Sequence, residues 1–462
     1  MSWHEHFRAT LSLGLPIIGI HMAQMLTHTT DVVMLGWYGV DELAAGVLAA
    51  ELFFVVYLVG AGFSHAIMPM IANALGAHDR RGVLHAVRMG GWVTVIYALA
   101  SLPILLMAES LLLALGQQPH LASLAGDYMR IAAWGMLPSL LIAVFKSFLS
   151  ALRRPAIALV ATIVGALANA FCNYLLIFGH WGAPELGIRG AAIASVVTAF
   201  LTTALLIISV VKFREFHQYR LFARIWKANG KVLWEVTRLG FPISLTLLSE
   251  VGLFSAAKIL MGWLGTIPLA AHGIVLQFLA LSFMIPLGLS NAGTIRAGFS
   301  VGGGDRDGLI RGASAVIVLS MLASLFTVAL YVAVPEHLVA LFLNSTHAET
   351  DQIIAIGVTL FTIAAVFQVA DALQVVFLGL LRGLKDTGVP MVIAMLSYWV
   401  IGMPVAYLLG FSFGQGAAGI WIGLAIALIT AAAALFIRFL SRLSELKRQT
   451  LAPDAKLERQ IR

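Results

Sequence analysis

Charge is scarce in this chain: Asp, Glu, Lys and Arg make up 11% of its 462 residues, while 60% are apolar. A soluble domain carries roughly 25% charged residues, and a globule of this size cannot cover its surface with so few. The deficit excludes an ordinary soluble protein, and the apolar content excludes disorder. Cysteine is nearly absent; the single Cys172 rules out an intramolecular disulfide, and Cys/His zinc spacing is missing. No G-x-x-x-x-G-K-S/T loop is present to cradle a nucleotide, and no H-E-x-x-H pair to hold a catalytic zinc. Neither a nucleophile with its base nor a metal cluster stands out, which argues against an intramembrane enzyme. The first 30 residues lack the basic n-region and cleavage site of a removable signal peptide, so the first apolar stretch is expected to remain as an anchor.

What is present is apolar length. A helix needs about 20 residues to cross the hydrocarbon. Twelve runs meet this, at about 11–35, 45–72, 90–115, 124–150, 156–178, 190–211, 239–261, 270–293, 312–334, 353–380, 388–410 and 417–437. The predicted fold is an all-α polytopic membrane protein. The net charge of +7 invites a nucleic-acid reading, but the placement of the bases refutes it. With the amino terminus in the cytoplasm, 25 of the 29 Lys and Arg fall on that side: Arg8, the 80–88 cluster, Arg153, Arg154, seven from Lys212 to Arg238, Arg296, Arg306, Arg311, Arg382, Lys385 and the tail. Only Arg189 falls in an outer loop, and Arg130, Lys146 and Lys258 lie within spans. This is a positive-inside pattern. It predicts a multi-pass membrane protein with both termini cytoplasmic, surrounded by lipid and without a nucleic-acid partner.

The chain also repeats itself. At an offset of 226, Leu13-Gly14-Leu15-Pro16 meets Leu239-Gly240-Phe241-Pro242, and Gly36-Trp37-Tyr38-Gly39 meets Gly262-Trp263-Leu264-Gly265. Gly62 meets Gly288, Gly76 meets Gly302, and Asp79-Arg80-Arg81-Gly82 meets Asp305-Arg306-Asp307-Gly308. Further on, Leu152-Arg153 is aligned with Leu381-Arg382, and Gly190-Ala191-Ala192 with Gly416-Ala417-Ala418. Six spans separate matched elements, an even number, so the repeat is parallel. The expected domains are an amino-terminal lobe 1–211 (spans 1–6), a cytoplasmic inter-lobe loop 212–238, a carboxy-terminal lobe 239–437 (spans 7–12) and a basic cytoplasmic tail 438–462. Two such six-helix lobes around a central cavity suit alternating access.

Ionisable groups inside spans are costly and usually face a cavity or a partner. Asp31, Glu51, Glu250 and Asp371 are deep in spans, as are Lys146 and Lys258. Gln24, His28 and Asp31 share one face of the first span, and Gln368, Asp371 and Gln374 form a similar stripe on the tenth. The acids are not duplicated across the repeat: Glu250 corresponds to Gln24, Glu51 to Gln277, and Asp31 to Ala257. Glu51 and Lys258 can pair with each other, and Lys146 can snorkel toward the cytoplasmic end of its span. Energy for transport must come from an ion gradient or from substrate flow, since no nucleotide-binding loop is present. Gly302-Gly303-Gly304 reads as a tight turn. Carboxylates together with aromatic and methionine side chains suit amphipathic organic cations.

At these residues the chain resembles the MATE (multidrug and toxic compound extrusion) family, in its NorM-type branch. The resemblance rests on Gln24 to Gly36, on Ser249-Glu250-Val251-Gly252-Leu253-Phe254 with Ala270-Ala271-His272, and on Gln368 to Val376. It continues through Leu381-Arg382-Gly383-Leu384-Lys385-Asp386, Ser397-Tyr398-Trp399-Val400 and Gly402-Met403-Pro404, with Asn169, Asn173-Tyr174 and Gly182 to Gly187 in the fifth-span region. It implies a two-lobed antiporter exporting organic cations in exchange for Na⁺ or H⁺, with no cofactor, functional as a monomer. By matching motifs, Glu250 and Asp371 would form the coupling-ion site and ligate Na⁺ if that is the ion. Asp31 and Asn169 would form the polar site of the amino lobe. Gln24, Gln277, Phe367, Gln368 and Gln374 are expected to line the cavity. Phe367 departs from the branch, which often has a tyrosine there. A lipid-linked precursor flippase of the same superfamily is the alternative; it would favour a more cationic cavity.

Overall fold

The computed structural model describes residues 2–219, 221–222, 226–343 and 349–461, with side chains up to Lys447. Arg220 and Arg224 of the basic inter-lobe segment, and the tail side chains beyond Lys447, lie outside the described residues. Every regular element among those described is helical. Twelve helices are long and apolar enough to cross a membrane, one for each expected span. They are Trp3–Tyr38, Val40–Gly76, Arg80–Leu106, Pro119–Ala151, Pro155–Phe178 and Gly187–Lys212 for spans 1 to 6, then Gly230–Leu264, Thr266–Gly302, Arg306–Ala333, Thr350–Gly383, Gly388–Ser412 and Gly416–Lys447 for spans 7 to 12. Large apolar side chains such as Leu167 and Phe326 are two-thirds or more exposed on their outer faces, which hydrocarbon accommodates and water does not.

Several helix ends differ from the apolar runs for local reasons. Spans 3 and 9 begin ten and six residues earlier than expected, at Arg80 and Arg306, because Asp79 and Asp305 cap them. Each carboxylate accepts from a backbone N–H three residues on, Gly82 at 2.9 Å and Gly308 at 2.8 Å. The repeated Asp-x-x-Gly is therefore a helix start. Glycine leaves room for the caps, since a Cβ would lie 2.5 Å from Asp79 Oδ2 and 2.0 Å from Asp305 Oδ2 and the capping carboxylate would have to shift. Span 3, expected to run to 115, stops at Leu106, and Ala108–Ala114 forms a separate short helix. Arg130 lies within the span 4 helix Pro119–Ala151, as expected. It is exposed and paired with Glu109 at 2.7 Å and Asp127 at 2.8 Å, and Asp127 also holds Arg189 at 2.7 Å.

Backbone geometry also corrects the later repeat register. The helix-ending turns place Arg153 (φ 61) and Lys385 (φ 57) in the left-handed region, each donating to a carbonyl three residues back. Leu152-Arg153 thus matches Leu384-Lys385, three residues beyond the alignment made from sequence. Likewise Gly187 and Gly416 open spans 6 and 12 with positive φ. A Cβ on Gly190 would meet the Leu176 carbonyl at 2.3 Å, as one on Gly419 would meet Leu409 at 2.5 Å. Gly190 therefore corresponds to Gly419, not to Gly416. Residue identity misled in both places because backbone geometry and close helix contact, rather than the residue types themselves, are what repeat.

Compact packing divides the chain into the unit Leu15–Leu245 and the unit of Met1–Gly14 with Thr246–Arg462. Each half of the repeat lends the start of its leading helix to the other unit, at or just beyond the Leu-Gly-x-Pro motif. Within the first unit, a Cβ on Gly240 would lie 2.7 Å from Phe63 Cα, and Ser244 Oγ donates to the Val59 carbonyl at 2.6 Å. Within the second, Gly14 packs on Leu289, while the Arg296 guanidinium donates to the His6 carbonyl and the Thr10 hydroxyl. The first unit is centred on Met129, Met136, Leu105 and Leu140. The second is centred on Tyr331, Phe361, Phe367, Tyr398 and Trp421.

Span 10 is positioned against span 8 by the Gly379-x-x-x-Gly383 stripe, the small-residue device of membrane helices. Ser290 Oγ donates to the Val375 carbonyl at 2.6 Å, and Thr294 Oγ1 to the Gly379 carbonyl at 2.8 Å. A Cβ on Gly379 would lie 2.2 Å from Ser290 Oγ and 2.6 Å from its carbonyl oxygen. We predict that Gly379→Ala lowers stability by about 1–3 kcal/mol. Gly91→Ala, which meets nothing within 4 Å, is expected to be neutral or stabilising by up to ~1 kcal/mol. Thermal melting of the purified variants in detergent checks this; equal shifts at the two positions would show that the glycine contact does not hold span 10.

Candidate functional site

Each unit holds one buried polar cluster, and the two are chemically unlike. In the unit Leu15–Leu245, Asp31 is half-buried on span 1, and Asn169 and Asn173 are buried one turn apart on span 5. Asn173 Nδ2 donates to Asp31 Oδ1 at 2.5 Å and to Asn169 Oδ1 at 3.2 Å. Tyr128, hydrogen-bonded to Ser195, also faces Asp31. The amide of Asn173 therefore bridges Asp31 to the Asn169 expected beside it. Sequence reading quoted Asn173 in a motif but gave it no role; its i+4 spacing from Asn169 was the available signal. Gln24 and His28 are exposed on the same helix as Asp31. Glu51 is exposed and faces His28. Lys146 is half-buried and acts electrostatically on His21, as does His65.

In the other unit, Glu250 on span 7 and Asp371 on span 10 are 9% and 5% exposed and face each other electrostatically. Gln374, one turn beyond Asp371, approaches Glu250, yet neither of its amide atoms attains a hydrogen bond. Asp371 Oδ1 and the Tyr398 hydroxyl are likewise buried without a partner. Tyr398 is fully buried and lies in the field of Glu250, Asp371 and Arg382. Its backbone belongs to the π-helical stretch Leu396–Gly402, the kind of local widening that frequently marks functional sites. The cluster therefore holds two acids, an amide, a phenol and, at one end, a guanidinium.

Phe367 and Gln368 are buried, whereas Gln277 is exposed on span 8. The Phe367 ring packs against Trp421 at 5.9 Å, and Trp421 Nε1 donates to His272 Nδ1 at 3.1 Å. That phenylalanine is thus a member of the apolar core. The phenol that sequence reading missed at 367 is present on Tyr398, from a different helix. Lys258 faces His272. Among the described residues no three His, Cys, Asp or Glu side chains group to hold a metal, so any cation at Glu250 and Asp371 must complete its shell with neutral oxygens. Gln374 Oε1 and the Tyr398 hydroxyl carry the unused lone pairs for that.

We predict that Asp31 and Asn173 are energetically coupled. Asn173→Ala is expected to cost about 1–3 kcal/mol, because it strips a buried carboxyl of its donor. A double-mutant cycle with Asp31→Ala, read by thermal melting, should give a coupling of at least ~0.5 kcal/mol; strict additivity would show that the bridge contributes nothing.

Comparison with known proteins identifies the fold and the family. The MatE family model matches residues 16–175 and again 242–408, two stretches whose starts have the spacing of the repeat. A probable multidrug resistance protein NorM of Rhizobium meliloti (strain 1021) is 45% identical over 446 residues, covering 96% of both chains. One so named from Synechocystis sp. is 34% identical, covering 94% of both. A MATE crystal structure in the straight conformation superposes with TM-score 0.87 at 21% identity, covering 96% of this chain and 97% of the other. The eukaryotic MATE transporter AtDTX14 gives 0.86 at 17% identity, covering 97% and 99%. A family model that matches most of both halves, and relatives aligned almost end to end, establish that the chain belongs to the MatE family.

Proposed function

We propose that this protein is a secondary antiporter, not an enzyme, that exports hydrophobic and mostly cationic compounds in exchange for Na⁺ or H⁺ by alternating access. It acts in a bacterial inner membrane as a monomer with both termini cytoplasmic, as the positive-inside pattern argues. The relatives' name, multidrug resistance protein, supports the substrate class. The observation that carries the coupling is the Glu250–Asp371 cluster, in which buried acids stand beside polar atoms that nothing in the protein satisfies. Two carboxylates in a low-dielectric interior repel, so a cation or a proton is favoured over an empty site. Gln374 and Tyr398 complete the site in this reading, and Asp31 with Asn173 and Asn169 forms a separate polar site.

Entry of the coupling ion is driven by the membrane potential, worth about 2.3 kcal/mol per charge per 100 mV. If ion and drug disfavour each other's binding, linkage makes the effect reciprocal. The test is ethidium efflux from proteoliposomes under imposed Na⁺ and pH gradients in turn. Wild type should respond to at least one gradient. Glu250→Gln and Asp371→Asn should each abolish the response, and the double variant should be little worse than either. Asp31→Asn should cut export strongly at near-normal expression. Wild-type ion dependence retained in the Glu250 and Asp371 variants would move the coupling site elsewhere.

A further inference from the structure

The helix of span 7 is Gly230–Leu264, so it starts well before the apolar run at 239. Asn229 caps that start, its Oδ1 accepting from the Val232 N–H at 3.3 Å. On the early turns, Lys231, Trp234, Arg238 and Phe241 follow one another at steps of three or four and share one face. All four are exposed, Trp234 by 66% and Phe241 by 56%. Val236, Leu239 and Ile243, on the far face, are buried. Trp226 and Lys227, both exposed, lead into the helix from the inter-lobe segment. That segment is itself packed on its unit: Arg88 Nε donates to the Leu221 carbonyl at 3.0 Å, and the Phe216 and Tyr219 rings lie 5.8 and 6.0 Å from Phe148.

The cations of this stripe are unanswered. Among the described residues none pairs with the Lys231 ammonium or the Arg238 guanidinium. The acids of the region are engaged, Glu215 with Arg154 at 2.8 Å and Glu235 with a partner of its own. The repeat supplies an internal control. At the offset of 226, Lys231, Trp234 and Arg238 correspond to Glu5, Arg8 and Ser12, and Phe241 to Leu15. The apolar position is kept, whereas the two cations flanking an indole are not, so the fold does not demand them. Their depth fits a lipid headgroup. Lys231 and Arg238 are about 10 Å apart along the axis, and the headgroup layer on one side of a bilayer is roughly 5–8 Å thick. A guanidinium and an ammonium suit a phosphodiester, an indole between them suits the interface, and Phe241 with the half-buried Leu245 beyond it suits an acyl chain.

We propose that the exposed face of Lys231, Trp234, Arg238 and Phe241 is a docking surface for an anionic glycerophospholipid, its phosphate held by the two cations and its acyl chain laid along Phe241. The test uses the purified, delipidated full chain in detergent, offered phosphatidylglycerol or phosphatidylcholine of the same acyl chains, with bound lipid counted by native mass spectrometry. Wild type should retain phosphatidylglycerol in preference. Lys231→Gln and Arg238→Gln should each weaken that lipid about fivefold, the scale of one basic side chain at an anionic leaflet, and leave phosphatidylcholine unchanged. Arg81→Gln, an exposed base at the start of span 3, should bind as wild type does. Lys231→Met and Arg238→Met, which keep apolar stems, replace the glutamine variants if those do not fold. An excess of inorganic phosphate should leave the lipid bound. Equal retention of the two lipids by wild type would overturn the proposal. So would a loss as large in Arg81→Gln as in the stripe variants, or release of the lipid by phosphate, which would mark a simple anion site. The binding measurement requires no transport, so it judges this surface whether or not the antiport reading holds.

Discussion

An unpaired polar atom in hydrocarbon is too costly to leave alone, and the rest of this structure follows from how each is answered. Backbone groups are answered within helices, which is why every described regular element is helical. Hydroxyls on the helices are answered by neighbouring carbonyls, as Ser290 and Thr294 are by span 10. The acids are answered differently in the two units. Asp31 has an amide donor supplied by Asn173. Asp371 keeps an oxygen with no donor at all, beside an amide and a phenol in the same condition. Four such atoms gather in this one cluster, which is what the proposed ion site uses.

The repeat shows which parts of a membrane protein resist divergence. The devices shared by both halves are backbone devices: the Asp-x-x-Gly helix starts, the left-handed turns, and the glycines of spans 6 and 12 that touch the preceding helix. Each depends on a steric or hydrogen-bonding demand that few residues meet. The polar chemistry is not shared. One unit places an Asp between asparagines, and the other places two acids with Gln374, Tyr398 and Arg382. Identical scaffolds with unlike polar contents permit the separate duties proposed for the two clusters.

Precise placement of span 10 makes the second cluster possible. Gly379 and Gly383 bring its backbone against span 8, and the same helix carries Gln368, Asp371, Gln374 and Arg382. The π-helical stretch of span 11 sets Tyr398 among them, and Thr246 onward brings Glu250 into this unit. None of these residues is polar by accident of exposure; all are buried.

The sequence by itself determined what adds up locally along the chain. Hydropathy is a sum over about 20 residues, so all twelve spans were legible, and the repeated motifs showed the duplication. Spacing on one helix face picked out Asp31 and Asp371 with their glutamines, and depth within a span picked out Glu250. Helix ends were less legible, because a cap such as Asp79 adds a charged turn to an apolar run. Only the tertiary structure decided what depends on several helices at once. It exchanged the starts of spans 1 and 7 between units, placed Arg130 in an exposed ion-pair chain, and put Phe367 in the core while Tyr398 supplied the phenol. Side chains from different helices meet through interhelical packing distances and axial register, and no local pattern of apolar and polar residues encodes either.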